Sequence, residues 1–249
     1  MSHQPIVFGL HAVQAILQRQ PERILRLHVV NVRGDKKMEA ILSLASDANI
    51  HVETATRQQL DRLCNEGNHQ GVVALCTKAS VYGESDLKSF LANLDAPPFL
   101  LILDGVQDPH NLGACFRSAD AAGVHAIIAP KDKSVGITPV VSKVACGATE
   151  ALPFFQVTNL ARTIEAIKAE NIWVYGAAGE ADKTIYQTAL TGPLALVLGS
   201  EGDGLRRLTR DLCDGLVKIP MFGSVSSLNV SVATGICLFE AVRQRNSLR

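Results

Sequence analysis

The chain has 249 residues, 24 Lys+Arg against 24 Asp+Glu, and 47% hydrophobic residues. That suffices for one large domain or two unequal ones with real cores, and zero net charge excludes nucleic-acid binding by bulk electrostatics, leaving only a local patch. Six widely spaced cysteines with no Cys-x-x-Cys pair exclude a disulfide frame and a zinc ribbon, and read as thiols of a reducing compartment.

The opening "MSHQPIVFGLHAVQ" has no basic segment followed by an apolar one, so no signal peptide is expected. No apolar run approaches the roughly 20 residues that span a bilayer. The expectation is a cytoplasmic protein without membrane contact.

In chain order, residues 9–19 place Leu10, Val13, Ile16 and Leu17 on one helical face. A strand follows at 24–30, a helix at 36–48, a strand at "IHVE", a short helix around "RQQLDRL", and a strand at 71–76. These give a small α/β domain over residues 1–76. Residues 77–98, polar and then ending "NLDAPP", are expected to be a linker holding one short helix. From 99 to 249 the texture changes. "FLLILDG" is a continuous apolar run, as in a strand buried on both faces. Strand-like and helix-like segments then alternate through "HAIIAP", "PVVSKVACGATE", "LPFFQV", "NLARTIEAIKAEN", "IWVYGAA", "LALVLGS", "LVKIP" and a final helix. Such alternation predicts an α/β fold with a parallel sheet covered on both faces. Asn159 is the expected N-cap of a helix with Leu160, Ile164 and Ile167 on its inner face.

Three stretches carry chemistry. In "LDGVQDPHNLGACFRSADAAG" (103–123) a strand ends at Asp104 and a helix begins near Asn111. Gly113 and Arg117 share a helical face beside the carboxyl end of the strand, where open parallel sheets bind ligands. Alternatively, Asn111 only caps the helix and Arg117 is a solvated charge. In "LALVLGSEGDGLRRL" (194–208) the glycines run G-x-x-G-x-G, the reverse of the dinucleotide fingerprint, and Glu201 would repel a pyrophosphate. In "GSVSSLNVSVATGICLFEA" (223–241) hydroxyl and amide groups enter a helix, either as caps or as the wall of a pocket. Ala233, Cys237 and Ala241 form a small-residue face suited to close packing within one subunit or between two. Arg206, Arg207 and Arg210 could meet RNA phosphates or lie on a solvated face.

No G-x-S-x-G, H-E-x-x-H or Walker sequence is present, and no two histidines are spaced i, i+4, so no metal is expected. A nicotinamide-dependent dehydrogenase would need the opposite glycine order and an acid about 20 residues later, which neither Asp203 nor Asp214 supplies. A reaction whose electrophile comes from a cofactor fits better.

Together, "NLGACFRSA", "LVLGSEGDGL" and "IPMFGSVSSLNVSVATGICLFEA" resemble the three motifs of the SPOUT class of RNA methyltransferases, in its TrmH/SpoU branch. The likeness covers nearly the whole chain and is closest to bacterial enzymes that methylate a guanosine ribose of 23S rRNA. It implies an L30e-like RNA substrate-binding domain at 1–76 and a SPOUT catalytic domain with a deep trefoil knot at 99–249. It also implies S-adenosyl-L-methionine as cofactor, held by Gly199, Ile219, Met221 and Leu228. Arg117, Asn111, Glu201, Ser227 and Asn229 would form the catalytic set. Arg117 would either orient the 2′-hydroxyl or act as its base, although arginine is ordinarily always charged. A homodimer is implied, with a partner subunit's arginine near the cofactor. The implied reaction is 2′-O-methylation of a guanosine in the peptidyl-transferase region. Another rRNA or tRNA ribose is the variant within the class, and a non-catalytic ribosome-assembly protein keeping the same fold is the alternative outside it.

Overall fold

The structure is a computed structural model that describes residues 5–30, 36–64, 67–77 and 82–247. Two compact units account for it: residues 1–80 with 146–151, and residues 81–145 with 152–249.

The first unit is built on four strands in the order β1 (Ile6–Phe8), β4 (Val72–Cys76), β2 (Ile24–Val29), β3 (Val52–Thr54). Only β2 and β3 run parallel. The two-residue period of β4 divides the core. Val72, Ala74 and Cys76 join Val13, Ile16 and Leu17 of α1 (Leu10–Arg19) and Met38 and Ile41 of α2 (Lys36–Asp47). Val73 turns to the opposite face and meets Leu60 of α3 (Arg57–Leu63). The late segment 146–151 completes this unit. Glu150 Oε2 accepts from Arg23 Nη1 at 2.8 Å, and Arg23 is only 8% exposed.

The second unit holds a seven-stranded sheet, every paired neighbour parallel. Its order is β7 (Phe154–Val157), β6 (Ala126–Pro130), β5 (Phe99–Asp104), β10 (Leu194–Gly199), β8 (Trp173–Ala177), β11 (Gly215–Lys218), β9 (Lys183–Thr184). The continuous apolar runs expected to be buried on both faces are so: every residue of β5 and β6 is buried. Helix α8 (Leu160–Ala169) is capped by Asn159, whose side chain accepts from the Arg162 N–H, and buries Leu160, Ile164 and Ile167.

Two stretches are more finely divided or more closely packed than the sequence alone conveys. The segment "PVVSKVACGATE" forms two helices: α6 (Pro139–Ala145) stops where Cys146 and Gly147 take φ of 52° and 95°. A short α7 (Ala148–Ala151) follows. Within 77–98, α4 (Glu84–Ala92) buries Leu87 in the second unit's core and sets Phe90 against Phe155. Residues 78–81 of that stretch lie outside the described residues. Among the described residues, no helix is long and apolar enough to cross a membrane.

Candidate active site

The site grows from the carboxyl edge of the two central strands, where Asp104 and Gly199 are register partners. After β5 the chain enters α5 (Pro109–Ala121). Asp108 accepts from the His110 and Asn111 N–H groups and Pro109 fills the first helical position. Asp108 is therefore the N-cap, not Asn111, whose amide is left for other work. Gly113 faces α6 so closely that a Cβ would stand 2.7 Å from Val144 Cβ and 2.8 Å from Val141 O.

After β10 the chain turns back on itself. Ser200 and Gly204 exchange two backbone hydrogen bonds of 3.1 Å, and a Cβ on Gly199 would lie 2.0 Å from the Gly204 carbonyl carbon. Glycine at 199 is thus a condition of this turn. The turn is also tied from below: Asp104, 1% exposed, accepts from the Arg206 backbone N–H at 3.0 Å and from Arg206 Nε at 2.5 Å, with Nη2 in ion-pair contact.

Glu201 projects from this turn into an amide network. Its Oε2 accepts from Asn111 Nδ2 at 3.1 Å and its Oε1 from Asn229 Nδ2 at 3.4 Å, while Asn229 Nδ2 also donates to Asn111 Oδ1 at 2.9 Å. Asn229 has a second task as the N-cap of α10 (Val230–Asn246), accepting from Ser231 N at 2.9 Å and Ser231 Oγ at 2.6 Å. One asparagine thus links helix entry to the carboxylate.

Beside this network opens a cavity of about 620 Å³, a size typical of small-molecule sites. Gly199, Ile219, Met221 and Leu228 all line it, as do Glu201 and Ser227. Asn111, Asn229 and Arg117 do not. No backbone–backbone hydrogen bond involves residues 220–228 among the described residues, so that stretch presents unpaired donors and acceptors where it borders the cavity. Ser224, Ser226 and Ser227 are exposed on the same stretch and none caps α10.

Arg117 stands apart. Six positions beyond Asn111, it lies about 240° round α5 and is exposed, with no hydrogen-bond partner among the described residues. Within one chain the structure does not bring it to Glu201, Ser227 or Asn229. Of the three arginines beside the second motif, Arg206 is committed to Asp104 and Arg210 to Glu180 at 2.5 Å, and Arg207 has no ion-pair partner among the described residues. The small face of α10 serves its own unit: Cys237 and Ala241 are buried, and neighbouring Thr234 Oγ1 meets Cys115 Sγ of α5 at 3.4 Å. Burial pushes the Cys115 thiol up to about 11 and the Cys237 thiol to about 12, so neither is a nucleophile at neutral pH. Among the described residues no three His, Cys, Asp or Glu converge as metal ligands.

Asp104 and Glu180 were missed as site residues in the sequence, and Arg210 was read only as a phosphate contact or a solvated charge. A carboxylate ending a buried parallel strand was the available signal for Asp104. The pairing of Glu180 with Arg210, distant in sequence, had none.

Residues 98–239 match the SpoU rRNA Methylase family. The chain belongs to that family. The SpoU match is accompanied by one to RNA 2′-O ribose methyltransferase substrate binding domains over residues 6–82. Among SpoU relatives, the 23S rRNA (guanosine-2′-O-)-methyltransferase RlmB of Shewanella oneidensis is 57% identical over 99% of this chain and 100% of its own. RlmB of Escherichia coli is 56% identical over 97% and 99%. Among solved structures, the SpoU methyltransferase AviRb of Streptomyces viridochromogenes, in complex with AdoMet, superposes with a TM-score of 0.76 at 25% identity, covering 97% of this chain and 90% of that one.

Proposed function

We propose that the chain transfers a methyl group from S-adenosyl-L-methionine to the ribose 2′-hydroxyl of a guanosine in 23S rRNA. The observation that carries this reading is the juxtaposition of the 620 Å³ cavity with the Asn111–Glu201–Asn229 network. The relatives named above supply the substrate. The cavity suits the cofactor: Leu198, Leu205, Ile219 and Met221 offer an apolar berth for adenine, and the unpaired backbone of 220–228 offers hydrogen bonds to its edges. When bound, the cofactor supplies a sulfonium-activated methyl group, so the protein needs no nucleophile of its own.

The chain's own residues then have three tasks. Gly199, Ile219, Met221 and Leu228 bind the adenosine. Asn111, Glu201, Ser227 and Asn229 order the loops that face the reacting atoms. Arg117 orients the 2′-hydroxyl and the adjacent phosphate as a bidentate cation, while another acceptor takes the proton. Arg117 is exposed and does not line the cavity of its own chain, which supports its acting on the cavity of a second subunit, in a homodimer. Exposed Phe222, Val225, Val232 and Phe239 on the 219–228 stretch and α10 support that assembly.

The same reading makes residues 1–76 an L30e-like RNA-binding domain, 77–98 a linker and 99–249 a knotted SPOUT domain. The return of α10 onto α5 and β10, after the chain has passed through β11, supports the knot. The same reading takes the target guanosine to lie in the peptidyl-transferase region, supported by the family resemblance, and the enzyme to act in the cytoplasm, supported by its substrate.

The test is methyl transfer from labelled cofactor to unmodified 23S rRNA, with mapping of 2′-O-methyl positions. Label at one guanosine of that region is expected. Cofactor binding without label on 23S rRNA would move the substrate to another RNA or a precursor particle, and no cofactor binding would overturn the reading.

A further inference from the structure

Three carboxylates line the cavity: Glu201, Asp203 and Glu180. Glu201 is occupied by the two asparagine amides. Asp203 sits at the exposed tip of the turn between Ser200 and Gly204. Glu180, in the turn after β8, is different because a cation from another element sets its direction. Arg210 of α9 (Arg207–Leu212) forms an ion pair through Nη1 with Glu180 Oε1 at 2.5 Å. Both residues border the cavity, Arg210 half-buried and Glu180 exposed at its rim.

Each partner of the pair keeps spare capacity. Glu180 Oε2 has no protein partner among the described residues, and Arg210 Nε is buried with no hydrogen-bond partner. An ionised carboxylate accepts only, and its two oxygens match two neighbouring hydroxyl donors. In nucleoside sites elsewhere an acidic side chain takes that role toward the ribose. Near Glu180 the cavity wall is Ala177, Ala178 and Gly179, small enough for a sugar to approach.

We infer that Glu180 accepts hydrogen bonds from the vicinal ribose hydroxyls of the cofactor, and that Arg210 is its positioning residue. This rests on the cavity being the cofactor site. Glu180 is therefore a binding residue and contributes to recognition of the nucleoside rather than of the amino-acid tail.

The experiment is calorimetric binding of three ligands to the full-length wild type and to Glu180→Gln. The ligands are S-adenosylhomocysteine, 5′-methylthioadenosine, which lacks the amino-acid tail, and the 2′,3′-dideoxy form of the latter. For the first two, Glu180→Gln is expected to weaken binding about 10- to 100-fold, the range for hydrogen bonds to a charged group. The dideoxy ligand should bind both proteins equally weakly. Arg210→Met should weaken the first two ligands and add little in the Glu180→Gln background. Unchanged 5′-methylthioadenosine affinity in Glu180→Gln would overturn the inference, and if S-adenosylhomocysteine alone weakened, Glu180 would belong to the tail. A dideoxy ligand that loses as much as its parent would overturn it too. Failure of the wild type to bind S-adenosylhomocysteine would instead overturn the cofactor reading itself. Glu180 is largely exposed, so matching thermal unfolding of variant and wild type is the folding control.

Discussion

Asp104 and Arg206 stand 102 positions apart, and the buried carboxylate of the first holds the backbone N–H and the guanidinium of the second together. This clasp sets where the turn carrying Glu201 leaves the sheet. Asp104→Asn keeps the shape but removes the charge. Arg206 is half exposed, so the loss is moderated by solvent, and about 2 kcal/mol of stability should disappear. Urea unfolding measures this. Cofactor affinity should fall as well, because the loosened turn borders the cavity. A variant with wild-type midpoint and affinity would show the clasp to be incidental.

The asparagine network predicts a split between binding and turnover. Asn229→Ala removes a donor to both Glu201 and Asn111 and the cap of α10. Turnover should drop at least about 100-fold, the scale for losing one preorganised polar contact at a reacting centre. Cofactor affinity should change only a few-fold. Single-turnover methyl transfer beside equilibrium binding separates the two.

Arg117→Ala should retain the cofactor and lose transfer. Each single variant, Arg117→Ala or Asn229→Ala, should be inactive as a homodimer. Co-expressed, they should recover about a quarter of wild-type activity, since half the dimers carry one intact site. No recovery would place Arg117 and Asn229 in the cavity of the same chain.

A pH dependence follows from His125. Its Nδ1 accepts from the Phe99 N–H at 3.0 Å, and burial, with Arg245 nearby, holds its pKa below the ordinary value. The unfolded chain thus binds the proton more readily. The contribution to stability is complete above the usual histidine value of about 6.5 and is lost as pH falls through the lower folded value. Denaturation midpoints at pH 5 and 7.5 should diverge in the wild type. The divergence should shrink in His125→Asn, whose amide oxygen can accept the same hydrogen bond.

Gly113→Ala tests the seam between α5 and α6. The added methyl meets Val144 and a backbone carbonyl, so a loss of about 1–3 kcal/mol is expected. Thermal unfolding with the cofactor absent is the measurement.

Much of the frame was legible because the signals were local. The apolar runs of β5 and β10 and the Asn159 cap are read from neighbours in sequence. The break at Cys146 and Gly147 was not, since an apolar-periodic stretch conceals where the backbone turns left-handed. Whether Asn111 caps the helix or serves the site stayed open in the sequence because Asp108, three residues earlier, satisfies the same capping rule. Helical geometry already separates Asn111 from Arg117, yet only the folded position of Glu201 shows which of them its carboxylate meets. The Glu180–Arg210 and Asp104–Arg206 pairs depend on strand order, which no short window contains.

The ion pair between Arg23 and Glu150 bears on synthesis in the cell. Glu150 is joined to the growing chain 127 residues after Arg23. Until then a guanidinium destined for the interior has no carboxylate to meet. The first unit therefore matures only after translation has passed well into the second, and a fragment ending at residue 80 would leave Arg23 without the Glu150 carboxylate it meets here.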